Sequence, residues 1–377
     1  MMGRFLLVML VTFICNSVAL ADDIEDALAA LNRKDYKKAF VMLLSASQQG
    51  DALAQFNLGL LYQKGHGTTQ SNDDAAKWYR LAALQGSNKA QYNLALMYVN
   101  GHGVKQDYVE AAKWYRLGAL QGDSNAQFNL GVLYDNGQGV KQDYVEAVKW
   151  YRLAAKQSDV LAQNNLGLMY SKGRGAPQNY VEAVKWYRLA ANHGNSQAQV
   201  NLGLMYGNGQ GVNQNYVEAV KWYRLAAKQG FAGGQYQLGL MYTIGHGVNQ
   251  NYVEAVKWYR LSAKQGNTRA QQNLGLMYVN GQGVSQDDAE AVKLFRSSAQ
   301  QGYDEAQYNL GFMYENGRGV TKDMVRAYLW FSIAAVSGDI DAIKSRDNVE
   351  RKISNKQITD TQLIARECIA NKFNDCN

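Results

Sequence analysis

Residues 149–152 read Lys-Trp-Tyr-Arg, and the same four residues recur along the chain with a period of 36 residues. The other copies begin at Lys77, Lys113, Lys185, Lys221 and Lys257. Weaker copies keep the register, because Leu294-Phe295-Arg296 and Trp330-Phe331 follow one and two periods after the last full copy. A strict period of this length is typical of repeat proteins, in which each unit buries its apolar face by stacking on its neighbours. The sequence therefore predicts one elongated array instead of several globular domains.

A second motif fills the other half of each period. It reads Asn-Leu-Gly-Leu-Met-Tyr at 165–170 and recurs from Asn57 to Asn309. Gln237 replaces the Asn once, and Ala95 replaces the Gly once. With the weaker flanking copies, the array runs from about Tyr36 to Gly338.

Capping residues and apolar spacing predict two helices in each repeat. Asp143 followed by Glu146 is typical of a helix start, in which the Glu carboxylate reaches back to the backbone N–H of the cap. The preceding helix is predicted at about 126–135, and it ends at Gly137-Gln138-Gly139, where glycine adopts the left-handed conformation. Gly131 lies inside that helix at a cost of about 1 kcal/mol relative to Ala, which indicates a close approach between helices. The fold class is therefore an all-α solenoid of antiparallel helix pairs.

The N-terminal segment, residues 1–21, differs from the rest of the chain. Arg4 precedes an apolar run at 5–15, and small residues lead to Ala21 before an acidic pair. This pattern predicts a secretory signal cut after Ala21, and hence a periplasmic or secreted protein. A membrane anchor is the alternative, but the run is shorter than the roughly 20 residues that span a bilayer. The full chain has 39 Lys and Arg against 32 Asp and Glu, a modest basic excess.

Two cysteines follow the signal segment, and both lie near the C-terminus. Cys368 and Cys376 can form a disulfide in an oxidising compartment, where exposed free thiols are unusual. A metal site there has little support, because no His lies nearby.

The repeated motifs resemble a known family. Ala-Gln-x-Asn-Leu-Gly-x-Met-Tyr, Gly-x-Gly-Val and Ala-x-Lys-Trp-Tyr-Arg-Leu-Ala-Ala are similar to the Sel1-like repeat family over about Tyr36 to Gly338. The resemblance implies a right-handed superhelical scaffold, similar to tetratricopeptide repeats, that binds protein partners. Exported bacterial members are associated with host interaction, envelope assembly and signalling. The implied organisation is a signal peptide at 1–21, a solenoid at 22–338, and a helical cap and tail at 339–377.

One subgroup of the family, the cysteine-rich Helicobacter proteins, carries a disulfide in each repeat and is associated with β-lactam binding or hydrolysis. The repeats of this chain contain no cysteine. The subgroup's activity therefore does not carry over to this chain.

Ligand specificity is expected where the copies differ on the first helix of each pair, which lines the concave groove by analogy with tetratricopeptide arrays. One variable row begins with an aromatic ladder of Phe56, Tyr92 and Phe128, a candidate anchor for a peptide. The alternative is that these rings pack against the neighbouring helix. The other groove candidates, from this row and from the row that begins at Leu53, are Asn164, Tyr236, Gln272, Tyr308, Lys89, Asn125, Arg269 and Glu305. A third variable row follows the recurring Tyr and includes Gln63, Asp135, Gly207 and Thr243.

No constellation of residues predicts catalysis. His66, His102 and His246 occupy the middle of Gly-x-Gly loops, a position that elsewhere holds Gln or Arg and is expected to face solvent. These loops follow helices, whereas a phosphate-binding loop follows a strand. The repeated Lys and Arg form a basic stripe, but the Glu one helical turn before each Lys is ordinary helix-surface pairing, so nucleic acid is not expected.

The leading hypothesis is a non-enzymatic scaffold that binds a protein or peptide without a cofactor and without membrane insertion after signal cleavage. A cell-wall or exopolysaccharide binder and a β-lactam-binding envelope enzyme are the alternatives. The oligomeric state and the identity of the partner stay open.

Overall fold

The computed structural model describes residues 24–373 and Cys376, so the predicted signal peptide lies outside the described residues. The chain divides into two compact units, Met1–Asn179 and Tyr180–Asn377. The helices of unit 1 are α1 (24–32), α2 (Tyr36–Gln48), α3 (Ala52–Lys64), α4 (Asn72–Leu84), α5 (Asn88–Asn100), α6 (Tyr108–Leu120), α7 (Ser124–Asn136), α8 (Tyr144–Lys156) and α9 (Val160–Lys172). The repeat helices of unit 2 are α10 (Tyr180–Asn192), α11 (Ser196–Asn208), α12 (Tyr216–Lys228), α13 (Ala232–Ile244), α14 (Tyr252–Lys264), α15 (Thr268–Asn280), α16 (Asp288–Ala299), α17 (Asp304–Asn316) and α18 (Met324–Ala334). Unit 2 ends with a 3₁₀ turn (Ala335–Ser337), α19 (Ile340–Glu350) and α20 (Asn355–Ala370).

Helix pairs are the building block of both units. From α3 to α18, the odd-numbered helix of each repeat comes first and is called the A helix, and the even-numbered helix is the B helix. Within each unit the repeat helices pack on their neighbours in the chain. Ala126 and Leu130 on α7 and Tyr151 on α8 are fully buried between the two layers. The predicted all-α fold of repeated helix pairs is confirmed.

The helix starts follow the prediction in one respect and differ in another. Asp143 accepts hydrogen bonds from the backbone N–H groups of Val145 and Glu146, at 2.9 and 3.1 Å. The carboxylate of Glu146 does not reach back to the cap as predicted. It turns forward to Lys149 Nζ at 3.0 Å and accepts a hydrogen bond from Trp150 Nε1 at 3.1 Å. The backbone N–H of Asp143 donates instead to the carbonyl of Tyr134 at 3.0 Å, so it is not free to bind this carboxylate.

The two glycines of each Gly-x-Gly loop have different tasks. Gly137 closes α7 in the left-handed conformation, with φ of 68°, as predicted. Gly139 also has positive φ, and a Cβ there would overlap the backbone carbonyl of Tyr108 in the preceding B helix. The first glycine therefore ends a helix, and the second lets the loop lie directly against the previous repeat. Gly131 shows the predicted close approach, since a Cβ would stand 2.7 Å from the ring of Tyr151.

A buried glutamine connects the elements of each repeat. In α7, Gln127 donates from Nε2 to the carbonyl of Ala119 at 3.1 Å. Its own Oε1 accepts a hydrogen bond from Gln157 Nε2 at 2.8 Å. Equivalent amide pairs join Gln85 to Gln55, Gln121 to Gln91, Gln229 to Gln199, Gln265 to Gln235 and Gln301 to Gln271. The repeated register of these amides fixes the ends of six B helices against their own A helices, whereas His193 takes the donor's place after α10 and leaves the Gln163 oxygen without a partner.

The C-terminal segment of unit 2 covers the last repeat, since α19 and α20 both pack on α18. Ser354 and Gln357 form a capping box at the start of α20. Cys368 and Cys376 are joined by a disulfide with the Cα atoms 5.1 Å apart. Within the described part of the chain, no helix is long and apolar enough to cross a membrane.

Candidate functional site

Each A helix presents one side outward, and we call this side the A-helix face. On α7 it consists of Asn125, Phe128, Asn129, Val132 and Asp135, which are half-buried or exposed, while the residues between them are buried. The three variable rows predicted from the sequence all lie on this face. The rows of Asn129 and Val132 also belong to it, but they were not singled out because they barely vary between copies.

The aromatic ladder packs inward and is accessible at the same time. The ring of Phe56 lies 5.9 Å from that of Tyr79, Tyr92 lies 5.8 Å from Tyr115, and Phe128 lies 5.9 Å from the Tyr of its own B helix. All three rings remain half-buried, so each contacts the core and keeps part of its surface toward solvent. Both interpretations of these rings therefore describe part of their environment.

The remaining groove candidates do not share one environment. Lys89, Asn125, Arg269 and Glu305 are exposed, and Asn164, Tyr236 and Tyr308 are half-buried. The rings of Tyr236 and Tyr308 contact the B-helix rings of Tyr259 and Phe331. Gln272 departs from the expected accessibility, since its exposed fraction is only 5%. Its shorter side chain does not extend past its neighbours as the rings of the same row do.

The third variable row supplies hydrogen-bond partners for the buried B-helix tyrosines. The hydroxyl of Tyr79 donates to Gln63 Oε1 at 2.8 Å, and that of Tyr151 donates to Asp135 Oδ2 at 3.3 Å. Partial burial raises the pKa of the Asp135 carboxyl above its ordinary value, although the Tyr151 hydroxyl opposes this shift. The partner in each case precedes the tyrosine by 16 residues. This pairing explains why the row is polar in several copies.

Unit 2 contains a cleft at which the third variable row supplies no hydrogen-bond partner for the B-helix tyrosine. The cleft has a volume of ≈ 530 Å³ and lies among α11, α12, α13 and α15. Residues from all three variable rows line it, namely Gly207, Tyr236 and Arg269. Tyr223 and Gln237 line it as well. A volume of this size is within the range of ordinary ligand pockets.

The basic stripe on the B helices is occupied by contacts within the chain. Lys149 and its equivalents pair with the Glu one helical turn earlier, and these pairs are exposed. The Arg of each copy donates to the tyrosine hydroxyl of the next A helix, as Arg152 does to Tyr170 at 2.7 Å. Exposed ion pairs of this kind contribute about 0–1 kcal/mol. The stripe is a paired helix surface, as the i,i+3 spacing indicated.

The Gly-x-Gly loops pack on the preceding B helix through their middle residue. The ring of His66 stacks on Tyr36 at 4.2 Å, and His246 lies 4.3 Å from the ring of Tyr216. These two contacts were missed, because the sequence analysis placed all three loop histidines in solvent, where His102 and His246 are exposed but His66 is half-buried. The available signal was the Tyr that begins the preceding B helix, which has the same offset from the loop residue in both copies. Among the described residues, no group of three or more His, Cys, Asp or Glu side chains is arranged to hold a metal ion.

The comparisons with known proteins agree with one another. The Sel1 repeat family matches nine consecutive segments, at 33–51, 52–87, 88–123, 124–159, 160–195, 196–231, 232–267, 268–303 and 304–339. A solved Sel1 repeat protein from Oxalobacter formigenes is 34% identical, with a TM-score of 0.66, over 81% of this chain and 89% of its own. A solved uropathogenic Escherichia coli protein, described as a protective antigen with the same fold, is 31% identical, with a TM-score of 0.54, over 96% of this chain and 95% of its own. No curated protein matches the sequence. Sel1 repeat proteins are protein-interaction scaffolds, and the nine matched segments show that this chain belongs to the Sel1 repeat family.

Proposed function

We propose that this protein is an exported scaffold that binds a protein or peptide partner on the A-helix face. The observation that carries the proposal is the aromatic ladder of unit 1. Phe56, Tyr92 and Phe128 are each partly exposed, and each ring packs against a buried tyrosine. Rings fixed in this way lose little conformational freedom on binding, which favours them as interface anchors.

Apolar neighbours extend the ladder. Leu60, Leu96 and Val132 lie one helical turn further along the same faces and are half-buried. Polar residues border them, since Lys89 and Asn125 are exposed. An apolar centre with a polar border is the usual anatomy of a protein–protein interface.

Export is supported by the N-terminal pattern and by one relative. Residues 1–21 have the charge, apolar run and small residues of a cleavable signal. The Escherichia coli protein with the same fold is described as a protective antigen, and a protective antigen meets the immune system of the host. The proposal places this chain in the periplasm or outside the cell, where its partner is an envelope protein or a host protein.

Capture of a partner by matched variants tests the binding surface. The mature chain from Asp22 is used as bait against envelope extract and host-cell lysate, and retained proteins are identified by mass spectrometry. The test variant carries Phe56→Asn, Tyr92→Asn and Phe128→Asn, because Asn164 occupies the same position in the next repeat. The control carries Val109→Ser and Val145→Ser on the exposed side of two B helices.

We expect a specific partner that the control retains and the test variant loses. Equal retention by both variants would show that the ladder is not the binding surface. Retention of cell-wall polysaccharide alone would overturn the proposal that the partner is a protein. For export, N-terminal sequencing of the protein from fractionated cells should begin at Asp22, and an uncut cytosolic chain would contradict it.

A further inference from the structure

The cleft of unit 2 contains a tyrosine hydroxyl that lacks both of the partners seen in the next repeat. Tyr223 is 2% exposed, and its side chain lies on the floor of the cleft. Among the residues that the structure describes, nothing forms a hydrogen bond with its hydroxyl. Burial raises the pKa of this phenol, so the group remains a neutral O–H donor at physiological pH. A hydroxyl that opens to a cleft and has no partner in the protein is available to a ligand.

The next repeat shows what normally surrounds this hydroxyl. Tyr259 is hydrogen bonded to Thr243 Oγ1 at 3.0 Å, and it accepts a hydrogen bond from Asn273 Nδ2 at 3.1 Å. Thr243 belongs to the A helix of the same repeat, and Asn273 belongs to the A helix that follows. The ordinary environment is thus one side-chain oxygen and one amide.

Both positions are different around Tyr223. Gly207 takes the place that Thr243 has beside Tyr259, and it has no side chain to offer. A Cβ on Gly207 would lie 3.8 Å from the Tyr223 hydroxyl, so an ordinary side chain would fit there. Gln237 takes the place of Asn273, where the other copies of the motif also have Asn. Gln237 itself forms no side-chain hydrogen bond with the described residues, although it lines the cleft.

The tyrosine Tyr115 shows that a missing partner alone does not create a site. Its hydroxyl is buried without a hydrogen bond in the described part of the chain. Val99 takes the place of Gly207 in that repeat, so an apolar side chain stands where the glycine leaves space. At Tyr223, by contrast, the free hydroxyl coincides with a cleft.

The walls of the cleft indicate the chemistry of its ligand. Leu204, Leu240 and Ile244 provide apolar surface, and the ring of Tyr236 borders it. Arg269 brings a guanidinium to the rim, and it forms no ion pair within the described residues. Glu305, the nearest acid in the same row, lies close enough to Tyr236 to influence its ionisation but does not pair with Arg269. Much of the remaining lining is polar and includes Asn208, Gln214 and His246. A hydroxyl donor and an unpaired guanidinium beside an apolar strip suit a carboxylate attached to an apolar group.

We propose that this cleft binds an apolar carboxylate, with its oxygen on the Tyr223 hydroxyl in the place that Thr243 occupies beside Tyr259, and with its charge facing Arg269. A C-terminal apolar residue of a partner polypeptide and a small aromatic acid share this chemistry. The site lies on the A-helix face, so the peptide form of the proposal rests on the function proposed above.

Calorimetric titration of the mature chain tests the ligand class. The probes are acetyl-Gly-Gly-Phe with a free carboxylate, the same peptide as its C-terminal amide, and 3-phenylpropionate. We expect the free acids to bind and the amide to bind at least about tenfold more weakly, because a charge-assisted hydrogen bond is lost. Binding of 3-phenylpropionate without the peptide would support a small acid as the ligand and overturn the peptide source. Equal binding of acid and amide would overturn the proposal.

Substitutions locate the binding to the cleft. Gly207→Thr places a hydroxyl where Thr243 stands in the next repeat, so it should fill the cleft, keep the thermal midpoint and abolish binding. Tyr223→Phe folds by the precedent of Phe295, which has the same place in its own repeat, and should weaken binding about fivefold to tenfold. Tyr259→Phe is the matched control and should bind as the unmodified chain does.

Unchanged affinity in both Gly207→Thr and Tyr223→Phe would overturn the site. Partner capture that needs the aromatic ladder but is indifferent to Gly207→Thr would leave the proposed function intact and remove the cleft from it. Binding of the small acid with no captured protein would support the cleft as a site and contradict the proposed protein-binding function.

Discussion

The two glycines of one Gly-x-Gly loop offer a sharp test of how the repeats stack. Gly137 and Gly139 have nearly equal positive φ values, 68° and 66°. An added Cβ at Gly137 would meet the Cβ and the backbone N of Gln142 at 3.1 and 3.3 Å, tight contacts that a shift of the loop by a few tenths of an ångström relieves. An added Cβ at Gly139 would overlap the backbone carbonyl of Tyr108, and a backbone in a helix cannot move aside. The two alanine variants therefore share the conformational cost and differ only in the clash.

The magnitudes follow from that difference. A left-handed alanine costs about 1–2 kcal/mol, and the reduced freedom of the unfolded chain offsets about 0.4–1 kcal/mol. Gly137→Ala should therefore destabilise by about 1 kcal/mol. Gly139→Ala adds the cost of forcing the loop away from α6, about 1–3 kcal/mol by analogy with overpacked cores.

Urea unfolding of the mature chain, followed by circular dichroism, measures the free energies of unfolding. Because repeat arrays can unfold in parts, hydrogen exchange of peptides from α6 locates the damage. We expect faster exchange at the start of α6 in Gly139→Ala and little change in Gly137→Ala. Equal destabilisation of the two variants, within about 0.5 kcal/mol, would refute the stacking role of the second glycine.

Three further predictions concern other contacts. Gln127→Leu should destabilise unit 1 by about 1–3 kcal/mol, since it removes the bonds to the carbonyl of Ala119 and to Gln157; a thermal midpoint like that of the unmodified chain would contradict this. Burial raises the pKa of Asp135 in the folded state, so the folded chain retains this proton to higher pH than the unfolded chain does. The free energy of unfolding should therefore fall as pH rises through the carboxyl range. Asp135→Asn should flatten that part of the pH profile measured by urea unfolding, and an unchanged slope would refute the assignment. Reduction of the disulfide between Cys368 and Cys376 should speed hydrogen exchange in α20, since closure of a short loop contributes about 2–3 kcal/mol to the stability of this segment. Equal exchange rates with and without the reductant would argue against a stabilising role of the disulfide.

The sequence predicted much of the local structure because the signals are local. The cap at Asp143, the left-handed glycine at Gly137 and the apolar spacing of α8 all lie within a few residues of the features they specify. The helix pairs and their period are therefore confirmed as predicted. The predicted path of the Glu146 carboxylate was wrong, because the N–H of the cap donates to the carbonyl of Tyr134 on the preceding helix, a contact that local sequence does not reveal.

The surface rows were placed on one face by their spacing alone, but their accessibility was not determined by it. Phe128 and Gln272 occupy equivalent positions, yet the ring keeps an exposed edge and the amide is covered. Exposure depends on how far a side chain extends past neighbours that belong to other helices, and a single row of residues does not contain that information.

The sequence by itself determined a repeating all-α chain, since period, caps and glycines act within one or two helices. Only the tertiary structure decided that Gly207 and Gln237 line one cleft with the Tyr223 hydroxyl. These residues lie on the helices before and after that of Tyr223, and each looks like a harmless exception within its own row. They become a site because helix packing places three consecutive helices around the same point, where one missing side chain leaves both a cleft and an unsatisfied donor.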